Sequence, residues 1–449
     1  MVVVSTTSCK KFLEQQPSNR LSITDIFKDF EGARTTLVGC YDNLKSTNYY
    51  MRDVLVYADL MGGNIKYSRA TNQTLWQTYN ANNDAVTNEM RSFFELAYNT
   101  IYRCNAVLEN INNATDANIF QKNRMLADAR TIRALVHFDL VKVFAQMPDF
   151  STNATHSGIT LKDKNDNGIT VINNPSTVAQ VYAFINNDLD SAIALYNNSV
   201  NIYPTGATKT YLSADAAKAI QSRVALYNKD WAKVISLANA LITPTYPLIS
   251  NAGYVNAWRG KTLLSESIFE LAYGDRIGGS YGDYYNILAT TVQYATTNDL
   301  LSLYDAADVR GKATMYNAYT INAMPYSFSK KYNGIRDSAN NIRVIRISEL
   351  LLSRAEALAE TGNLTAALAD LNVIKKRGWP AAPTFASGTA SVVIDEILKE
   401  RRKELCFEGH LFFDIARRKQ NLVRVDCQAS INCNFTYPSP LFVVPIPNN

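Results

Sequence analysis

The sequence is poor in the residues that most catalytic chemistry needs. Its 449 residues hold three histidines and six cysteines. His137, His156 and His410 lie far apart, and no pair of cysteines has CxxC spacing, so neither set predicts a metal or redox centre. HExxH, P-loop and GxGxxG patterns are missing, which removes the commonest zinc-hydrolase and nucleotide sites. There is no run of about 18 apolar residues, so no transmembrane helix is expected. The net charge of +5 is spread without a basic run, which leaves nucleic acid no electrostatic footprint.

What the chain does have is bulk and aromatic polarity. A hydrophobic share of 47% and a charged share of 19% are ordinary for a folded globular chain, and the length suffices for one large domain or two. Tyrosine occurs 26 times. With Asn-rich loops, it tilts the surface toward flat aromatic contacts and uncharged hydrogen bonds, which suit neutral ligands such as sugars.

The opening MVVVSTTSCKKFLEQQP reads as the tail of a signal peptide running into Cys9. Small residues precede that cysteine, as at a bacterial lipoprotein cleavage site where Cys becomes lipidated. Residues 1–20 are then a tether and 21–449 a single domain. Ser22 and Asp25 predict a cap for a first helix, with an apolar face running from Ile26 and Phe27 through Phe30, Ala33 and Leu37 to Leu44. Residues 51–80 read as irregular. Helical patterns cover about 85–111, 122–145 and 177–197.

An internal repeat follows. Ser222 to Ile242 resembles Ser353 to Ile374, each a helix, a tight turn and a second helix. Ala225-Leu226 matches Ala357-Leu358. The turn Lys229-Asp230-Trp231 matches Thr361-Gly362-Asn363-Leu364 with one residue fewer, and Gly362 supplies the left-handed residue that ends its helix. Small residues at the crossing positions are how tetratricopeptide-like pairs pack. Residues 243–346 read as loop-rich, a last helical pair covers about 391–420, and the chain closes in a Pro-rich tail.

Motifs with chemical meaning mostly resolve to structure. Gly278-Gly279-Ser280-Tyr281-Gly282 matches GxSxG, but its flanks are turn-rich and lack the strand and helix of a nucleophile elbow. Asp163 to Gly168 matches the front half of a calcium loop, whereas position twelve is Asn174 and no helices flank it. Calcium is the one cofactor this leaves open; otherwise neither metal nor cofactor is expected. Cys427 and Cys433, six apart in a polar segment, are placed to close a disulfide loop, while Cys40, Cys104 and Cys406 read as buried free thiols. Glu400, Glu404 and Glu408 recur every four residues beside Arg401 and Arg402, with Asp414 and Arg418 as a further i,i+4 pair. An anionic-ligand site and an internal ion-pair network are the two readings, and the network is preferred.

In this order the segments resemble the SusD/RagB family, the nutrient-binding outer-membrane lipoproteins of Bacteroidetes-type bacteria. The matching blocks are SCKKFLEQQP, TDIFKDFEGARTTLVGCYDNL, LAYNTIYRCNAVLENI, LADARTIRALVHFDLVKVFAQMP, RISELLLSRAEALAETGN and, most specifically, ERRKELCFEGHLFFDIARR. Leu411 departs from the family pattern, which usually has Arg there. The resemblance implies an all-α fold. About four tetratricopeptide-like helix pairs (about 85–145, 177–242, 347–376 and 391–420) form a right-handed scaffold for a loop-rich ligand face. It also implies a lipid-anchored, cell-surface protein that catches a glycan, or sometimes a peptide, for a SusC-like TonB-dependent β-barrel and does no chemistry. The membrane is then touched only through the anchor.

Neutral sugars need aromatic faces plus amide and carboxylate groups. Two segments offer that mixture: Asp59, Asn64, Tyr67, Arg69, Trp76 and Asn80 in the region where the family places ligand contacts, and Trp258, Tyr281, Tyr284 and Tyr285 further on. Trp76 and Asn80 are expected one helical turn apart. A secreted glycoside hydrolase and a purely structural helical-repeat adaptor are the readings from other classes.

Overall fold

Side-chain caps set the starts of many helices in this chain. The computed structural model describes residues 22–448 except 69–73, 166–173, 207, 261, 274–280, 286–291, 333–340 and 428–431. Cys9 and the tether therefore lie outside the described residues. Ser22 accepts from the Asp25 amide, as its spacing predicts, but α1 (Ile23–Ile26) is only one turn long. The expected single helix breaks at Phe27, and Asp29 starts α2 (Phe30–Leu44) by accepting from the Gly32 amide. Two competing N-caps seven residues apart explain the break.

The region read as irregular is a correction. It contains α3 (Asp53–Gly62), β1 (Ile65–Tyr67) and the single turn α4 (Trp76–Tyr79). All ten residues of α3 are buried, so it has no polar face and no amphipathic period to read. Next come α5 (Arg91–Asn110), α6 (Ile119–Phe144), α7 (Val178–Tyr196), α8 (Ala214–Tyr227) and α9 (Trp231–Leu241). Reciprocal Asn118–Gln121 and Thr177–Gln180 capping boxes open α6 and α7. The stretch expected to be loop-rich holds α10 (Tyr254–Arg259), β2 (Ser267–Leu271), β3 (Tyr294–Thr296), α11 (Asn298–Ser302), α12 (Lys312–Met315), β4 (Tyr316–Ile321), β5 (Met324–Ser329) and β6 (Ile342–Arg346). The chain finishes with α13 (Ile347–Glu360), α14 (Leu364–Gly378), α15 (Ala390–Leu405), α16 (Leu411–Arg417), β7 (Leu422–Val423) and β8 (Asn434–Phe435). The molecule is mostly helical, with strands in a four-stranded sheet ordered β1-β3-β5-β4 and two ribbons, β2-β6 and β7-β8.

The helices pack as antiparallel neighbours, α5 on α6, α6 on α7, α8 on α9 and α13 on α14, with α13 also against α9 and α15. The two copies of the repeat turn have the same length. Asn228, Lys229, Asp230 and Trp231 occupy the places of Thr361, Gly362, Asn363 and Leu364. Lys229 (φ 57°) and Gly362 (φ 84°) are both left-handed. Asp230 and Asn363 then cap the following helices, and their amides donate back to Ala225 O and Leu358 O at 2.9 and 2.8 Å. Ala225 thus corresponds to Leu358, one residue from the register the sequences suggest. The glycine drew the eye to one turn while a lysine filled the equivalent position unnoticed. Cys427 and Cys433 are disulfide-bonded, and Cys40, Cys104 and Cys406 are free and buried.

The charged helix α15 is the interior's ionic spine. Glu404 receives Arg310, Arg346 and Arg377 at 2.9, 2.6 and 2.5 Å. Arg346 also reaches Glu266 and Glu408, Lys331 pairs with Glu408, and Arg310 with Asp308 and Glu400. With Lys403 on Asp308 and Glu400, the cluster balances five carboxylates against five cations, nearly all excluded from solvent. A second cluster joins Arg223 to Glu349, Arg401 to Asp414, and Arg417 to both Asp414 and Glu356. Burial pushes the Glu404 carboxyl up, but Arg377, Arg346 and Arg310 outweigh it and hold it well below the usual range. This bears out the network reading, with one correction: Asp414 pairs with Arg401 and Arg417 rather than with Arg418, which reaches Glu356 and Glu360.

Removing one partner strands the others: Arg346→Met should destabilise the fold by about 3–5 kcal/mol. Arg34→Ala, which breaks a pair with a mostly exposed Glu31, should stay within about 1 kcal/mol by urea unfolding. Burial lowers His137 from 6.5 to about 4, while its Nδ1 donates to Arg133 O at 2.8 Å. The folded protein keeps it neutral where the unfolded chain takes up a proton. Its contribution is therefore complete above pH 6.5 and lost as pH falls toward 4, about 2 kcal/mol of it between pH 7 and 5. His137→Gln should remove that share of the pH dependence of unfolding.

Candidate functional site

The sheet joins the two segments singled out by their aromatic and polar residues. Tyr67 on β1 stands opposite Tyr294 on β3. Gln293 ties them further, its carbonyl accepting from Ser68 and its side chain from the Thr74 amide. Tyr67 and Tyr294 both donate to Thr74 O, at 2.6 and 3.0 Å. Tyr67 is packed by Trp76, Tyr79 and Tyr294, each with its ring centroid 5.4 Å away. The Arg424 guanidinium stacks on Tyr79 at 4.3 Å.

On this foundation Trp76 is only partly buried, its outer surface turned from the Tyr67 and Tyr79 rings that back it. Asn80 follows one turn later and donates from its side chain to Trp76 O at 2.9 Å. Around them, Asn82 bonds Gln77, Asn83 bonds Thr78, and Glu89 accepts from the amide and hydroxyl of Thr78. Tyr284 is also partly exposed, with Arg52 5.9 Å above its ring and Tyr294 6.5 Å away. Trp76 and Tyr284 are thus the two partly exposed ends of one aromatic row that runs through the buried Tyr67 and Tyr294 rings, and amides and the Glu89 carboxylate stand around Trp76.

The other residues lie inside. Asp59 is fully buried and accepts from Asn64 Nδ2 at 2.6 Å and from the Phe407 and Gly409 amides at 3.1 Å each. Burial raises its carboxyl to about 6, against the opposing pull of those donors. Asn64 in turn accepts from Arg402. Tyr281 donates to Phe407 O at 2.9 Å and shares a hydrogen bond with Tyr285. Asp59 and Tyr281 thus clasp the α15–α16 turn, where Phe407 and Gly409 are left-handed, and the Tyr285 ring packs against Phe407. Trp258 is fully buried over the ionic cluster, with Lys331, Arg343 and Arg346 at 4.5, 5.2 and 5.2 Å from its ring. Tyr67 supports Trp76 from below. Arg69 lies outside the described residues, as do Ser280 of the GxSxG match and residues 166–173 of the calcium-like loop.

Arg52 and Glu89 beside the two partly exposed rings, and the buried Tyr79 and Tyr294 beneath them, carried no assignment in the sequence. Tyr79 had a signal, three residues after Trp76 on one helical face. Tyr294 had none, because only strand pairing brings it beside Tyr67. The three histidines are spent internally: His156 bonds Ser151 and Gln146 O, and burial among Arg401 and Arg223 lowers His410 far below its ordinary range. Among the described residues no three His, Cys, Asp or Glu side chains converge as metal ligands, and no helix is long and apolar enough to cross a membrane.

The profile of the SusD family matches residues 252–433, and one described as "starch-binding associating with outer membrane" matches residues 11–226. A SusD-like protein of Formosa agariphila is 23% identical, over 91% of this chain and 88% of its own length. The crystal structure of a SusD superfamily protein from Bacteroides vulgatus superposes with TM-score 0.83 at 26% identity, covering 94% of this chain and 96% of that one. A SusD-like carbohydrate binding protein from the same species superposes with TM-score 0.75 at 22% identity, covering 88% and 85%.

Asp59→Ala should cost about 3 kcal/mol in thermal or urea unfolding, because it leaves three buried donors unsatisfied.

Proposed function

The chain belongs to the SusD family, and on that footing we propose that it binds neutral oligosaccharides on the outside of the outer membrane and passes them to a SusC-like TonB-dependent barrel. The observation that carries this reading is the Trp76–Tyr284 surface. A flat indole stacks on the apolar face of a pyranose, and the surrounding amides and the Glu89 carboxylate take its hydroxyls. The tyrosines beneath Trp76 are held by hydrogen bonds and by Arg424, so the indole is pre-positioned and little ordering is left to oppose binding. Two comparisons support the cargo class and the place: the profile described as starch-binding and outer-membrane-associated, and the carbohydrate binding protein of the same fold. In this reading Cys9 carries the lipid that holds the protein at the surface.

The reading is of capture without catalysis. Glycoside cleavage needs a carboxyl pair facing the bond, and the densest acidic set, Glu400, Glu404 and Glu408, is committed to buried cations. A glycan array on the soluble chain, followed by calorimetry, tests the proposal. Trp76→Ala should weaken the best glycan by about tenfold or more, with no release of reducing ends by either form. Unchanged affinity in a folded Trp76→Ala variant removes that surface from the site, and binding of peptides alone redirects the cargo.

A further inference from the structure

A cleft of about 730 Å³ opens between residues 148–154 and helices α7 and α8. It shares no lining residue with the Trp76 surface, and its size falls within the range of about 300–1,000 Å³ common to small-molecule sites.

Its floor contains two tyrosines with unspent hydroxyls. Tyr182 and Tyr227 are only 5% and 2% exposed, and Phe138 fixes both rings edge-on, at 6.1 and 5.1 Å. Buried phenols elsewhere in this protein donate to a carboxylate or a carbonyl, as Tyr50, Tyr196, Tyr203 and Tyr281 do. The Tyr182 and Tyr227 hydroxyls have no such partner among the described residues, and they are not sealed in the interior either. Both residues line the cleft, and the Tyr227 phenol also lies near the buried Asp414 and Arg417. Burial, with Tyr227 and the Asp149 charge nearby, pushes the Tyr182 phenol well above its ordinary range, so it stays a donor.

The walls complete a mixed surface. The Phe150 ring is 42% exposed. Asn153 and Ala154 beside it are consecutive left-handed residues, φ 57° and 51°, a tight bend that alanine rarely adopts. The exposed Asn153 and Asn228, the latter at the end of α8, both line the opening. Asp149 is neutralised by Lys229 at 2.6 Å and Lys419 at 3.2 Å, so the cleft offers no uncompensated carboxylate to a cation. An aromatic wall, two rigid phenol donors and two amides match a neutral polyhydroxylated ring.

We propose that this cleft is a second saccharide subsite, in which a neutral sugar ring stacks on Phe150 and takes hydrogen bonds from Tyr182 and Tyr227. It is independent of the surface at Trp76, so either can fail alone. Saturation-transfer NMR on the full chain, with a panel of methyl glycosides of glucose, galactose, mannose, xylose and N-acetylglucosamine, tests it in a Trp76→Ala background. At least one glycoside should still receive saturation there. Adding Tyr182→Phe and Phe150→Ala should weaken its affinity by about tenfold at an unchanged melting temperature, since Tyr182→Phe keeps the ring that packs against Phe138 and the Phe150 ring is exposed. Binding that survives both substitutions overturns the proposal, and so does a Trp76→Ala protein that binds none of the panel.

Discussion

The rest of the structure depends on Glu404 being buried among three arginines. A lone carboxylate at that depth is prohibitively unfavourable. Arg310, Arg346 and Arg377 make it tolerable, and each is itself tolerable only because it reaches further acids. The pairs tie α15 to the β6–α13 corner through Arg346, to α14 through Arg377 and to the loop after α11 through Arg310. Exchanging such a cluster for well-packed apolar residues often gains stability, so its value here lies in register. Directional bonds admit one arrangement of these elements where apolar packing admits several.

That register extends to the segments that carry Trp76 and Tyr284. The turn leaving α15 is held on one side by Lys331, which donates to the carbonyls of Glu404 and Cys406. On the other side Asp59 accepts from Phe407 and Gly409, and Tyr281 donates to Phe407. Asp59 lies in the last turn of the helix that leads into β1, and Tyr281 opens the segment that leads into β3. The ionic core and the Trp76–Tyr284 surface are thus a few bonds apart, and a disturbance of one is expected to reach the other.

Much of the helical scaffold was legible because its periodicity and caps are local. The patterns of α5, α6, α7, α13 and α14 and the Gly362 turn could be read directly, and the four-residue spacing of Glu400, Glu404 and Glu408 announced an internal network. What stayed hidden was non-local or lacked contrast. Helix α3 is buried on every side, β1 with β3 and β2 with β6 pair across long separations, and Lys229 adopts a glycine-like conformation without being glycine. The site was legible as a region rather than as a list of side chains. Tyrosine and tryptophan serve equally well as pillars and as platforms, and composition does not say which. Tyr67, Trp258, Tyr281 and Tyr285 turned out to be pillars, whereas Trp76 and Tyr284 reach the surface.

The account stands or falls on where a sugar sits. A crystal structure of the chain with the tightest oligosaccharide from an array is the most direct measurement. The account predicts a pyranose ring stacked on the outer face of Trp76, with hydroxyls bonded to the side chains around α4. A tightly bound oligosaccharide that leaves the Trp76–Tyr284 surface bare would contradict it.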